Sequence, residues 1–402
     1  MKKVISVLLV LAVVLSCAFA KDFKFFMNGL DQHPEILGGF LPTGSGIGMN
    51  YEGLPFINGN TTQMQFTIAG GYLQRQIFQN SETGAVIDKG EKVGIFDVMH
   101  ITWGTKLSQG FGDSWVPGKD MFTAYVGYEG KYENYYDSLM LLSDGGGLPK
   151  KKDYKVNIGL KEKGQPDKLD VFIKDRANQS VYPELRGDNN LSNILYTGVT
   201  FNYMDDKMVS NEGLLVDLKV QYAPEAINKR VDYYTCQLNA VAGTTLYEVQ
   251  RPNGMNKFSI VILDRTNVSW IDGNAVPTFA SHTFSLGRKM RGFDNNSFNT
   301  NFAFVNNFDI RFAGPEPIWD GVFARLNLFF DFGCYDGKFV NTGKKLASQK
   351  ASGYLASTGA QLELDLMDSI DLGIQVAYLL HGNSLRDPSS KTIIGATFFL
   401  DF

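Results

Sequence analysis

The last hundred residues of the chain alternate between apolar and polar side chains with a period of two, and few folds accept that pattern. In Asn301 to Phe312, Phe302, Phe304, Phe308, Ile310 and Phe312 share one parity, while Asn301, Asn307, Asp309 and Arg311 share the other. Successive side chains on a strand point to opposite faces, so one face is apolar and the other polar. The pattern recurs in Val322 to Cys334, Ala356 to Leu366, Ile370 to His381 and Ile394 to Phe402. Five consecutive segments of this kind read as strands.

A soluble sandwich would alternate as well, with the apolar parity as its core. Two features favour a barrel in a membrane. The runs reach 11 or more residues, which suits a tilted membrane-crossing strand of ~9 to 11 residues better than the five or six common in globular sheets. The polar parity also sets opposite charges close together, Asp309 with Arg311 and Arg325 with Asp331, as in a wet, charged interior. Because only helices and closed barrels satisfy backbone groups in lipid, such a sheet must close. Earlier segments repeat the signal less cleanly, for example Leu214 to Tyr222 and Phe122 to Tyr132, and the total comes to about 14 to 16 strands. The charged, Gly- and Lys-rich stretch Ser138 to Asn190 reads as one or two strands joined by a long surface loop.

The N-terminus points to export. Met1-Lys2-Lys3 leads into the apolar run Val4 to Leu15 and then Ala18-Phe19-Ala20, the form of a secretory signal peptide cleaved after residue 20. The run is shorter than the roughly 20 residues of a membrane-spanning helix. A second reading is that Cys17, after Val14-Leu15-Ser16, is a loose lipoprotein signal, which would make a lipidated Cys17 the mature first residue. The remaining chain, residues 21–402, is expected to be one barrel domain. It holds two cysteines, Cys236 and Cys334, and neither a disulfide framework nor a cysteine metal site is indicated. A net charge of −4 gives no reason to expect nucleic acid.

No catalytic, cofactor or metal motif is present. Gly44-Ser-Gly-Ile-Gly48 lacks the following Lys of a phosphate loop, and there is neither a His-Glu-x-x-His nor a Gly-x-Ser-x-Gly turn. Of the four histidines, His100 and His381 fall on polar parities and are expected to line the lumen.

One cationic loop remains. The stretch Gly287-Arg-Lys-Met-Arg-Gly-Phe293 precedes a strand reading Asn306-Asn-Phe-Asp-Ile-Arg-Phe312, and then one reading Phe329-Phe-Asp-Phe-Gly333. In this order the three elements resemble the BamA/TamA family of outer-membrane assembly and secretion barrels, also called the bacterial surface antigen superfamily. The resemblance covers residues 284 to 402. It implies a bacterial outer-membrane location and an all-β, transmembrane antiparallel barrel of 16 strands. A long surface loop would fold into the lumen, where Arg291, Gly292 and Phe293 dock against Asp309, Asp331 and Gly333. Asp309 and Asp331 lie on the polar parity, where a guanidinium binds carboxylate through two parallel hydrogen bonds.

The resemblance further implies a terminal signal, Phe398, Leu400 and Phe402, read by the barrel assembly machinery during biogenesis. It also implies a weak seam between first and last strands, expected at Gly44, Gly46 and Gly48 on one side and Gly395 on the other, since Gly weakens strand pairing. Family members that insert or secrete proteins carry POTRA modules before the barrel, and residues 21 to 45 are too few for one. The expected partners are outer-membrane lipid, the assembly machinery, and a client protein or lipid. A general diffusion porin or a surface-exposed adhesin-like barrel is the alternative.

Overall fold

The computed structural model describes residues 22–29, 44–52, 62–78, 92–114, 119–136, 156–157, 191–205, 212–228, 230–277, 280, 286–293, 300–315, 317–319, 321–339, 352–366, 370–382 and 390–401. The proposed signal peptide, Cys17 and Phe402 lie outside them. The strands are β1 Asp22–Gly29, β2 Gly44–Glu52, β3 Thr62–Phe78, β4 Lys92–Asp113, β5 Asp120–Tyr136, the two-residue β6 Val156–Asn157, and β7 Leu191–Met204. They continue with β8 Gly213–Ala223, β9 Asp232–Gln250, β10 Asn256–Ala275, β11 Thr300–Ala313, β12 Val322–Phe339, β13 Gly353–Leu366, β14 Ile370–His381 and β15 Thr392–Asp401. Among the described residues a helical turn, α1 Leu286–Lys289, lies between β10 and β11.

With β6 set aside, each strand pairs antiparallel with the next, and β15 returns to β1 through Phe26↔Asp401 to Gly29↔Phe398. Among the described residues the pairings, with β3 on β4, therefore run round a ring of fourteen strands without an edge, which is what lets such a sheet sit in lipid. Fourteen lies within the roughly 14 to 16 strands read from the alternation, and the resemblance implied sixteen. Across residues 138–190, β5 pairs directly with β7, from Phe122↔Phe201 to Tyr132↔Leu191, so the ring has no place between them. From that stretch the described residues hold only β6, laid parallel to the start of β4. A charged run without alternation has no apolar face to offer lipid.

Burial decides between sandwich and barrel. On β12, Leu326, Leu328 and Phe330 are each more than 40% exposed, while Asn327, Phe329 and Asp331 between them are at most 3% exposed. The apolar parity thus faces outward and the polar parity inward, the reverse of a soluble sheet. β14 behaves alike, with Ile374, Val376, Tyr378 and Leu380 outward and Gln375, Ala377 and Leu379 buried.

Candidate functional site

The loop from β10 to β11 packs on the inward faces of β11 to β14. Leu286, Met290 and Phe293, spaced by four and three residues as on one side of a helical turn, are all at most 1% exposed. They form one cluster with Ala303 and Val305 of β11, Leu355 of β13 and Leu379 of β14. Two glycines make the fit possible. Gly333 lies beneath α1, and a Cβ there would come within 2.5 Å of Met290 Sδ and 2.8 Å of Leu286 Cδ1. Gly292 has φ +89°, a conformation that side chains other than glycine adopt at a cost. A Cβ at Gly292 would also lie 2.8 Å from Ala377 Cβ and 2.9 Å from Leu379 Cδ2. Arg-Gly-Phe is therefore a cation, a tight bend against β14 and an apolar anchor.

Arg291 turns the opposite way from this apolar cluster. Its Nε and Nη2 donate to Oδ2 and Oδ1 of Asp331 at 2.9 and 2.6 Å, and its backbone N–H donates to Asp331 Oδ2 at 2.9 Å. Nη2 also donates to Asp309 Oδ1 at 2.6 Å, and Nη1 to Gln361 Oε1 at 3.3 Å. The guanidinium lies 3.9 Å from the centroid of the Phe329 ring, a favourable stacking of cation on aromatic face. Ser357 donates its hydroxyl to the Arg291 carbonyl at 2.7 Å. Both carboxylates are 0% exposed, so the ion pairs act where water screens them little. Burial alone would lower the Arg291 pKa, but the bonds and charges of Asp331 and Asp309 outweigh it and raise the value, which holds the cation.

The second oxygen of Asp309 belongs to Arg265 of β10, whose Nη1 lies 2.5 Å from Oδ2. Lys289 donates to Asn267 and, at 3.0 Å, to Ser269 Oγ, while Asn307 Nδ2 donates to the Lys289 carbonyl at 3.1 Å. The strand wall thus grips both side chains and backbone of the loop.

Several expectations are corrected here. Asp309 pairs with Arg265 and Arg291, not with Arg311. Arg311 instead bonds Asn327 at 3.0 Å and lies 3.7 Å from Glu363, and Arg325 lies 3.7 Å from Asp365. Cross-strand neighbours approach more closely than residues two apart on one strand. The interior is not uniformly wet, since Val305, Leu355 and Leu379 form a dry wall under the loop. His381 does not line the lumen: a register shift beside Ala356 carries it to the exposed face, stacked on Tyr354 at 3.9 Å.

Three of the four expected seam glycines are also displaced. Gly44, Gly46 and Gly48 lie on β2, paired with β1 and β3, one strand in from the seam. Gly395 pairs with Gln375 of β14, and the described pairs of β1 with β15 run from Phe398 to Asp401. Phe398 and Leu400 stand opposite Gly29 and Met27 where β15 meets β1. Sequence reasoning missed Arg265, Phe329, Gln361, Ser357, Leu355 and Leu379. The available signal was Phe329, Leu355 and Leu379 standing on parities otherwise polar, where an apolar residue implies a dry contact.

A ring of antiparallel strands with an apolar outer belt, polar inner parity and a basic loop held on the inner wall defines a transmembrane β-barrel. Residues 128–367 match the Omp85 superfamily domain, a span that includes α1, Arg291 and both carboxylates, and the chain belongs to that superfamily. It is accordingly a protein of the bacterial outer membrane. Among solved structures it is similar to BamA from Haemophilus ducreyi lacking POTRA domains 1–3, at 11% identity and a TM-score of 0.46, over 94% of this chain and 69% of that one. It is also similar to CdiB from Escherichia coli, at 8% identity and a TM-score of 0.46, over 94% of this chain and 62% of that one. No curated protein matches the chain by sequence.

Proposed function

We propose that the barrel assists transport or assembly across the outer membrane, with its lumen plugged by the docked loop and its wall able to part between β1 and β15. Residues 1–20 are the export signal, residues 21–402 the barrel, and Phe398, Leu400 and Phe402 the signal to the assembly machinery. The observation that carries the reading is an inequality of fastening. The loop is held by two buried carboxylates and an apolar anchor, whereas among the described residues β1 and β15 share four residue pairs against fourteen between β12 and β13. A short, weak edge pairing can exchange for a client strand by β-augmentation.

The test offers an unfolded eight-stranded outer-membrane barrel to vesicles containing the refolded protein. A cysteine pair, Asn28→Cys with Phe399→Cys, closes the seam when oxidised. Wild-type protein is expected to speed client insertion several-fold, the oxidised pair to abolish the gain, and reduction to restore it. In planar bilayers the wild type is expected to be mostly closed. Insertion no faster than in empty vesicles, together with a steady open conductance, refutes the reading in favour of a diffusion pore.

A further inference from the structure

Arg265 and Asp309 face the lumen, and their neighbours Asp264, Thr266 and Asn306 face the lipid. The outward parity of β10 is set by exposed Phe258 and Trp270, alternating with buried Val261, Leu263, Ser269 and Ile271. The β10–β11 register pairs Asp264 with Phe308 and Thr266 with Asn306 without a shift, and β9 pairs with β10 without a shift from Val261 to Gly273. Asp264 is the ninth of the 20 residues of β10 and Asn306 the seventh of the 14 of β11, so the trio lies near mid-depth. A charge facing lipid is least favourable there, and ionisable groups found at that depth pair with something.

Their bonds leave the pairing incomplete. Asn306 Nδ2 donates to Asp264 Oδ1 at 2.8 Å and to Thr266 Oγ1 at 3.0 Å, and the Thr266 hydroxyl donates to Asp264 Oδ1 at 3.2 Å. Every side-chain hydrogen of the trio is then engaged. Asp264 Oδ2 and Asn306 Oδ1 have no donor among the described residues. The outward parities of Leu214–Tyr222 on β8, Tyr234–Thr244 on β9 and Val322–Cys334 on β12 carry no charge. Beside Asp264 and Thr266 on β9 stand Ala242 and Ala240, whose small side chains leave the cluster open to approach from the bilayer.

We propose that Asp264, Thr266 and Asn306 form a docking site within the bilayer for a membrane-spanning segment of another protein that presents a cationic side chain at mid-depth. Lipid headgroups lie about 15 Å away on either side. A second copy of this chain in symmetric contact would bring the same engaged donors. A lysine or arginine supplies several N–H groups to the two vacant acceptors and neutralises the carboxylate. The site is independent of the loop and the seam.

The test uses the refolded protein in phosphatidylcholine vesicles with two synthetic apolar helices of membrane-spanning length, one carrying a single central Lys and one a Leu at that place. Association is read by fluorescence transfer between labelled peptide and barrel. The Lys peptide is expected to bind at least tenfold more tightly than the Leu peptide. That preference is expected to vanish in Asp264→Asn, which keeps the side-chain shape, and in Asp264→Leu, which removes the polar group; a gel-mobility check confirms folding of each. Equal binding of both peptides to wild type, or a preference that survives Asp264→Asn, overturns the proposal.

Discussion

Replacing Arg291 with Ala removes two side-chain hydrogen bonds from Asp331 and one from Asp309, and leaves Asp331 with the backbone N–H of residue 291 alone. Asp309 keeps Arg265. Removing one partner of a buried pair costs about 3–5 kcal/mol, because the remaining charge stays buried without compensation. At 1.4 kcal/mol per factor of ten, the docked loop should lose roughly two to three and a half powers of ten in its equilibrium with the undocked form. Urea unfolding in vesicles reports the stability change, and single-channel recording reports opening of the lumen. Arg291→Lys keeps the charge without the fork and should fall between wild type and Ala. Asp331→Ala should cost more than Asp309→Ala, since Asp331 holds Arg291 through three of its bonds. The double mutant Arg291→Ala/Asp331→Ala should lose less than the sum of the single losses, by about 1–3 kcal/mol. Stability within about 0.5 kcal/mol of wild type, with an unchanged closed conductance, would refute the claim that these ion pairs hold the loop.

The apolar half of the loop should matter separately. Gly292→Ala keeps every charge but places a Cβ against Ala377 and Leu379 at positive φ, so the docked state should lose about 1–3 kcal/mol and the conductance should flicker open; silence in both assays would mean the bend is not required. Phe293→Ala empties a site that is 1% exposed between Leu355 and Leu379 and should cost about 3–5 kcal/mol, read by the same urea titration. Phe293→Leu should recover more than half of that loss.

The alternation in residues 301–402 was sufficient for the strands, because a pleated strand has a period of two whatever surrounds it. Its length argued for a membrane before any burial was known. The residues that meet around Arg291 were legible in part: Asp309 and Asp331 could be placed on one face by parity, and Gly292, Phe293 and Gly333 by their motif. Parity says which face a residue takes but not which strand lies opposite, so Arg265, Gln361 and Ser357 could not be found in this way. For the same reason Asp309 and Arg311 looked like partners along one strand, although each is satisfied across the sheet.

The seam shows the same division. Glycine content alone pointed to Gly44, Gly46, Gly48 and Gly395, but which strand closes the ring depends on how many strands precede it and on register. Those are properties of hydrogen bonding between segments hundreds of residues apart. Sequence by itself therefore determined the strand character, the two faces and the cationic loop, all of which depend on local periodicity. Only the tertiary structure decided the fourteen-strand closure, the partners of each buried charge, and the outward turn of Asp264, because each depends on what the closed ring brings alongside.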